Sequence, residues 1–332
     1  MSEPPWLAHR LAARLPQLRR RARLVADSRG WFAARGYVEV ETPCLVPCPG
    51  MEPHLDVFET WYEPKLGQGR ERLFLRTSPE FAIKKLLAGG VGRCFELARV
   101  FRNGEVSARH SPEFTMLEFY APGMTLDGLM DETEAYCAAM LGWTARAARL
   151  SVAEAFARHA GVPDLLAVAG DGASLAAAAG VVARERETWQ DLFFRLMGER
   201  VEPALARLGA PVFLFHWPAS EAALARRAPA DARVAERVEL YAGGVELANG
   251  FVELTDASEQ RARFEAWRDE RAASGGSDHG WDEDFLRALE SMPQSAGIAI
   301  GFDRVVMLAS GAATIEEVLW MPVVPVGQRT MR

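Results

Sequence analysis

Two apolar segments on either side of a polar loop form the most informative pattern in this chain. Cys94 to Phe101 reads as a buried strand, and Phe114 to Tyr120 reads as a second strand with a lone glutamate, Glu118, at its centre. A strand, a polar loop and another strand predict a β-hairpin. Rigid strands often display binding groups on such loops, and this loop contains Arg102, Glu105, Arg109, His110 and Glu113.

The loop residues leave two interpretations open. An arginine suits a phosphate because its fixed donors match the phosphate oxygens, and Phe114, directly after the loop, is placed to stack on a flat base. The alternative is a solvated charged hairpin with Phe114 in the core. Taken alone, the segment favours neither interpretation.

Further elements follow from periodicity and from the positions of glycine and proline. An arginine-rich helix is predicted near the N-terminus, and an alanine-rich stretch reads as a helical insertion between two halves of a β-rich core. The predicted helices are Leu18 to Ala34, Phe81 to Ala88 after Ser78-Pro79-Glu80, and Leu126 to Leu141, the insertion spans Ser151 to Leu208, and the predicted strands are Tyr37 to Glu41, Leu73 to Arg76 and Pro211 to Pro218.

A second hairpin is predicted where Gly243-Gly244 joins the strand-like runs Val234 to Ala242 and Val245 to Leu254. In that register Glu239 and Glu246 fall on one face as diagonal neighbours. Two adjacent carboxylates repel unless a cation lies between them, and Mg²⁺ usually takes one or two protein carboxylates beside phosphate ligands. A pair of solvated edge-strand glutamates is the common alternative.

Two further polar residues follow on the second strand of this hairpin. Strict alternation places Asn249 and Glu253 on the face opposite Glu246. These side chains converge with Glu246 only if Gly250 marks a bulge or a bend, which glycine inside a strand often does.

The last predicted strand, Ala296 to Arg304, is lined by small residues at Gly297, Ala299 and Gly301. Glycine inside a strand costs stability, so it often marks the close approach of a ligand or of another backbone. Arg304 lies at the junction with a following helix, beside that opening. Close helix packing is the competing explanation for the small residues.

Composition narrows the classes of protein that remain. The 332 residues are 49% hydrophobic with a formal net charge of −7, which argues against nonspecific nucleic-acid binding. Arginines near the N-terminus form a possible local basic patch, although a solvated helix face is the more common outcome. Four cysteines, no apolar leader segment and no run of transmembrane length lead us to expect a cytoplasmic protein. The arginines are Arg10, Arg14, Arg19, Arg20, Arg21 and Arg23.

Three ordered segments together resemble the catalytic domain of class II aminoacyl-tRNA synthetases. GYVEVETP at 36–43 resembles the first motif, FRNGEVSARHSPEF at 101–114 the second and GIAIGFDR at 297–304 the third. HSPEFTMLEFY and ELANGFVELTDASEQ are similar to the lysine-pocket segments of lysyl-tRNA synthetase. The resemblance implies an α+β fold, an antiparallel β-sheet flanked by helices, and a homodimer formed through the first motif.

The expected domain layout points to a particular branch of this class. Residues 1–35 read as an N-terminal helical segment and 36–332 as the catalytic domain, which leaves no room for the anticodon-binding barrel of lysyl-tRNA synthetases. The chain therefore resembles the elongation factor P lysine ligase family, as do PVFLFHWPAS and Ala299, where synthetases have glycine. That family activates lysine, preferably (R)-β-lysine, and attaches it to a lysine side chain of elongation factor P.

The resemblance implies a nucleotide site. Arg102 is expected to hold the α-phosphate of ATP, and Arg304 to contact adenine and the γ-phosphate, so that both act in catalysis. Phe114 is expected to stack on adenine, and Glu239 and Glu246 to hold Mg²⁺. The remaining residues expected along the nucleotide are Glu105, His110, Glu113 and Gly301.

The resemblance also implies an amino-acid site with carboxylates for both ammonium groups of the substrate, because a buried ammonium must be paired. Glu80 is expected to bind the amino group nearest the carboxylate, Tyr120 and Glu253 the distal ammonium, with Glu118 in support and Asn249 near the carboxylate. Ser78 and Ala299 complete the expected set.

One residue departs from the family pattern, and two alternative functions stay open. Gly104 stands where the family has glutamate, although Glu105 follows directly. A truncated synthetase that charges tRNA is the first alternative, which the acidic charge balance disfavours. A non-catalytic lysine-sensing paralogue is the second, which the retained arginines and carboxylates disfavour.

Overall fold

The structure is a computed structural model that describes residues 4–52, 55–65, 67 and 69–323. Its strands, in chain order, are β1 (Val38–Glu39), β2 (Leu45–Val46), β3 (Glu59–Tyr62), β4 (Glu71–Leu75), β5 (Cys94–Phe101), β6 (Glu113–Pro122), β7 (Ala148–Ser151), β8 (Val212–Pro218), β9 (Arg227–Ala228), β10 (Asp231–Ala242), β11 (Val245–Val252) and β12 (Ser295–Gly301). Its α-helices are α1 (Ala8–Ala33), α2 (Glu80–Ala88), α3 (Leu126–Leu141), α4 (Val152–Ala155), α5 (Gly172–Ala179), α6 (Trp189–Leu196), α7 (Glu202–Arg207), α8 (Ala257–Ala273), α9 (Glu283–Leu289) and α10 (Phe302–Ser310).

The main sheet follows the order β1-β5-β6-β12-β11-β10-β8-β7, with β9 paired to β10. Its central pairings are antiparallel, whereas β1 pairs with β5 and β7 with β8 in parallel. A smaller sheet, β2-β4-β3, lies beside it. This arrangement, an antiparallel sheet with flanking helices, confirms the predicted α+β class.

The two faces of the main sheet have different roles. One face packs against α1, α3 and α10 and forms the largest apolar core, which includes Phe32, Phe119 and Ile298. Strand alternation turns the intervening residues to the other face. Helices α2, α8 and α9 cover only part of that second face with a separate cluster, so a cavity remains open there.

Helix α1 begins at Ala8 and continues through Pro16, so the predicted start at Leu18 was wrong. Tertiary contacts support the first turns, because Arg14 Nη1 donates to the backbone oxygens of Glu316 and Leu319 at 3.0 and 2.8 Å. Such contacts offset the hydrogen bond that proline cannot donate.

Arg21, in the middle of α1, contradicts the solvated helix face expected for the N-terminal arginines. Its side chain is buried and pairs with Asp303 of α10. Its Nη2 also donates to Thr115 Oγ1 at 2.7 Å. Helix α1 is thereby connected to the residue that precedes Arg304.

The insertion predicted at Ser151 to Leu208 is helical. It contains α4 to α7 and two π-helical segments, Phe156–Ala160 and Met197–Val201. A core of its own includes the stacked rings of Phe156 and Phe193, whose centroids are 4.8 Å apart. This core continues onto β8, so the insertion packs along one edge of the main sheet. No helix within the described part of the chain is long and apolar enough to cross a membrane.

Candidate active site

A cavity of about 540 Å³ lies on the face of the main sheet opposite α1. The strand register lines up four of its polar or small positions across adjacent strands. Glu118 lies opposite Ala299, Ala299 opposite Asn249, and Asn249 opposite Glu239. Directly opposite residues share a face of a sheet, so these side chains point to the same side.

Glu246 reaches this face because of a β-bulge. Tyr241 pairs with Glu246 and Leu240 with Ala248, which leaves Leu247 as an extra residue on β11. The extra residue changes the alternation, so Glu246 and Asn249 lie on the same face. The sequence predicted that Asn249 and Glu246 converge only if Gly250 marks a bulge or a bend. The two residues do share a face, but the bulge that brings them together is at Leu247 and not at Gly250.

One end of the cavity contains Arg102 and Phe114, and we call it the nucleotide end because the resemblance predicts the nucleotide there. The Arg102 guanidinium carbon lies 5.3 Å from the centroid of the Phe114 ring. Its Nη1 is 3.7 Å from Glu105 Oε1, and its buried Nε has no hydrogen-bond partner among the described residues. An arginine held with an unpartnered donor at a cavity is suited to an anionic ligand.

Gly104 has φ +79°, in the left-handed region that disfavours other residues. The next residue, Glu105, lines the cavity. A carboxylate is therefore retained in this loop, one position after the departure from the family pattern.

Arg304 lies in the first turn of α10, directly after β12 ends at Gly301. Its Nη1 donates to the backbone oxygen of Glu246 at 2.6 Å, and its Nη2 lies 2.8 Å from His110 Nε2. Burial and the adjacent Arg304 charge lower the pKa of His110. The second and third sequence motifs thus meet at one wall of the cavity.

Glu113 is placed differently from the other loop residues. It lies on the face of β6 opposite Phe114, and its Oε1 is 3.9 Å from Arg99 Nη1. It is not among the residues that line the cavity. Its expected position along the nucleotide stays a prediction without support from this geometry.

Three buried glutamates, Glu80, Glu118 and Glu253, form what we call the acidic pocket. Within it, Ser78 Oγ and Tyr120 OH donate to the two oxygens of Glu118, each at 2.7 Å. Burial raises the pKa of Glu118 to about 8, and the neighbouring Glu80 carboxylate contributes in the same direction. A carboxyl with this pKa is poised to pair with an added cation.

Lys84 links the other two glutamates of the acidic pocket. Its Nζ lies 2.6 Å from Glu80 Oε1 and 2.5 Å from Glu253 Oε2. The other oxygen of Glu253, Oε1, has no hydrogen-bond partner in the described part of the chain. Lys84 was missed in the sequence, because a lysine on an amphipathic helix usually points to solvent.

Gly297 makes room for this pocket. A Cβ at this position would lie 2.1 Å from a carbon of the Tyr120 ring and 2.9 Å from Glu253 Oε1. No side chain fits there, so the glycine allows the Tyr120 ring and the Glu253 carboxylate to approach the sheet. The small residues of this strand predicted the close approach of a ligand or of another backbone. The groups that approach Gly297 are instead two side chains of the protein, Tyr120 and Glu253.

Glu239 and Glu246 are the two carboxylates that were expected to hold Mg²⁺, and both line the cavity. Arg237 Nη2 and Tyr241 OH donate to Glu239 at 2.6 and 2.7 Å. Burial, followed by the repulsion of Glu246, raises the pKa of Glu239 to about 7. No group of three or more metal-ligating His, Cys, Asp or Glu side chains occurs in the described ranges. Mg²⁺ usually takes only one or two protein carboxylates beside phosphate oxygens, so the assignment of these two residues to Mg²⁺ stays a prediction.

The insertion contributes a wall that the sequence did not indicate. Gln190, Phe194 and Met197 line the same cavity, with Glu202 near Glu246. No motif marks these residues in the sequence. They reach the site only through the fold of the insertion, so the sequence could not indicate them.

Comparisons with known proteins agree with this geometry. The chain matches the family model for tRNA synthetases class II (D, K and N) over residues 5–325, and it belongs to this family. An elongation factor P–(R)-β-lysine ligase of Klebsiella pneumoniae subsp. pneumoniae is 43% identical over 318 residues, which cover 93% of this chain and 95% of the relative. The ligase of the same name from Klebsiella pneumoniae strain 342 is also 43% identical, over 315 residues, with the same coverage of both chains. These matches confirm the predicted resemblance to the elongation factor P lysine ligases.

Proposed function

We propose that this protein activates lysine, preferably (R)-β-lysine, with ATP and transfers it to a lysine side chain of elongation factor P. The observation that carries the proposal is that an arginine-rich nucleotide end and two glutamates of the acidic pocket, Glu80 and Glu118, line one cavity. The names of the relatives supply the substrate and the acceptor. A compound with two ammonium groups is the ligand that several buried carboxylates would select.

In the first step the substrate carboxylate attacks the α-phosphorus of ATP, pyrophosphate leaves, and an aminoacyl-adenylate forms. Arg102 would bind the α-phosphate and neutralise charge that develops there, while Arg304 and Phe114 would hold the adenine. Glu239 and Glu246 would hold Mg²⁺, which supplies further positive charge beside the phosphates. No side chain needs to form a covalent bond, so positioning and electrostatics carry the step.

In the second step the acceptor amine attacks the activated carbonyl, an amide bond forms, and AMP leaves. The amine must lose a proton before or during attack, because only the neutral amine is nucleophilic. Gln190 and Phe194 of the insertion line one side of the cavity, and we assign the approach of the acceptor to that side.

The proposal includes a homodimer and a cytoplasmic location. Val38 and Leu45, in and just after the first motif, are about half exposed, which is consistent with an apolar contact to a second copy. All four cysteines are free, in keeping with a reducing compartment.

Lysine-dependent ATP–pyrophosphate exchange tests the first step. We expect exchange with lysine or (R)-β-lysine and none with a monoamine of similar length, such as norleucine. Absence of exchange with both lysine isomers would contradict the proposal and support a non-catalytic role.

A further inference from the structure

Lys84 is a buried cation that the proposed reaction does not use. Its side chain is 1% exposed, and its ammonium bonds to one oxygen each of Glu80 and Glu253. The rings of Phe251 and Phe285 complete its surroundings, with centroids 5.4 and 6.0 Å from Nζ. Burial alone would lower the pKa of Lys84, but the Glu253 and Glu80 carboxylates outweigh it and raise that pKa.

The charged and titratable groups around Lys84 come from several elements. Glu80 belongs to the same helix, Glu253 follows β11, and Glu118 and Tyr120 belong to β6. Glu52, from the loop before β3, also interacts with Glu80 and Lys84. Lys84 therefore supplies one positive charge within a cluster of four glutamates, Glu52, Glu80, Glu118 and Glu253.

We infer that Lys84 is a positioning residue that holds Glu80 and Glu253 apart by binding one oxygen of each and that adjusts the acidic pocket to a substrate with two ammonium groups. The inference rests on the proposed function and deepens it. The second oxygen of Glu253 lies against the position of Gly297. Gly297 and Glu80 line the cavity, whereas Glu253 is fully buried and is not among its lining residues, so Lys84 connects a cavity carboxylate to one behind the cavity wall.

Removal of this cation has a defined physical consequence. Glu80 and Glu253 both bind the Lys84 ammonium. Without Lys84 these two carboxylates would repel each other, so one of them would take up a proton or move. A neutral carboxyl is a weaker partner for an ammonium than a carboxylate.

The test is lysine-dependent ATP–pyrophosphate exchange with Lys84→Met and Lys84→Ala. Methionine keeps an unbranched side chain of similar length and removes the charge. We expect kcat/KM for lysine to fall at least about tenfold in both variants, since the loss of one partner of a buried ion pair is costly. The KM for ATP should stay within about twofold, because Lys84 does not contact the nucleotide end.

Chemical rescue separates charge from packing. In Lys84→Ala the missing atoms correspond to n-propylamine, so added propylammonium should restore part of kcat/KM in a saturable way. 1-Propanol fills the same space without the charge and should not restore it. Lys85→Met is the matched control, because Lys85 lies next in the sequence but pairs with Asp282 at 2.5 Å and is one-third exposed.

Specific results would overturn the inference. Exchange by a folded Lys84→Met variant within twofold of wild type would exclude it, as would equal rescue by propanol and propylamine. If neither variant folds, ¹⁵N NMR of the wild-type Lys84 ammonium replaces them: a charged signal that shifts on lysine binding supports the inference, and an unchanged signal contradicts it. Wild-type enzyme without lysine-dependent exchange would instead contradict the proposed function, so the two failures are distinguishable.

Discussion

Arg304 Nη2 lies 2.8 Å from His110 Nε2, and this contact determines the protonation state of the histidine. Arginine only donates hydrogen bonds, so Nε2 of His110 must accept. The ring is therefore neutral, with its proton on Nδ1, which lies 2.7 Å from Ser107 Oγ. The lowered pKa of His110 agrees with this state. His110 thus helps to fix the orientation of the Arg304 side chain in the wall of the cavity.

The first prediction concerns the pH dependence of ATP binding. As the pH falls through the lowered pKa of His110, the ring gains a proton on Nε2, loses the hydrogen bond from Arg304 and repels it. We expect the KM for ATP to rise below the ordinary histidine pKa of about 6.5. Exchange kinetics between pH 5 and 8 measure this effect.

The matched variant is His110→Gln, which keeps a hydrogen-bond acceptor but does not titrate in this range. Its KM for ATP should vary less at acidic pH. The same acidic rise in both proteins would show that another group is responsible.

The second prediction concerns Arg102. Arg102→Ala should reduce adenylate formation by at least about 100-fold, in line with the loss of one oriented donor to a developing charge. Arg99→Ala is the control, because Arg99 belongs to the same hairpin but lies with Glu113 on the other face of the sheet. Near-wild-type adenylate formation by Arg102→Ala would rule out the role assigned to this residue.

The third prediction concerns the isomer of the substrate. Ala299 lies between Glu118 and Asn249 in the sheet register, so its methyl group occupies the floor of the pocket. Removal of this methyl in Ala299→Gly deepens the pocket, and we expect the ratio of kcat/KM values to shift from (R)-β-lysine toward α-lysine. An unchanged ratio in a variant of wild-type melting temperature would refute the role of Ala299.

The fourth prediction concerns protons released on binding. Because the pKa of Glu118 is about 8, most of this carboxyl is protonated at pH 7 in the free protein. A bound ammonium favours the carboxylate and lowers that pKa, so binding releases protons below pH 8. Calorimetry at pH 7 in two buffers of different ionisation enthalpy should show release on the order of one proton per lysine.

This prediction has its own check at higher pH. At pH 9 the Glu118 carboxyl is already ionised, so the buffer dependence should become small. A binding heat that is independent of buffer at pH 7 would mean that the pocket carboxylates are ionised before the substrate arrives.

The limits of several helices and strands could be predicted from the sequence, because the residues that begin and end these elements act locally. Helix α3 has the predicted limits, Leu126–Leu141, since Thr125 caps its start and Gly142 adopts the left-handed conformation at its end. Strand β5 also has the predicted limits, Cys94–Phe101. The Gly243-Gly244 turn joins β10 and β11 as expected, with φ +59° and +75°.

Features that depend on a distant partner were not predictable in this way. The bulge at Leu247 is defined by the pairing of β11 with β10, and neither Gly243 nor Gly244 in the turn predicts it. The position of Lys84 depends on Glu253, which is distant in the chain but adjacent in space. The cavity wall from α6 likewise depends on how the insertion packs along β8.

The most direct test of the account is the transfer of radiolabelled (R)-β-lysine and α-lysine, with ATP and Mg²⁺, to purified elongation factor P and to bulk tRNA in parallel. We predict label on elongation factor P, stronger with the β isomer, and none on tRNA. Label on tRNA alone would identify a reduced synthetase and contradict the account, and label on neither acceptor would exclude both transfer reactions.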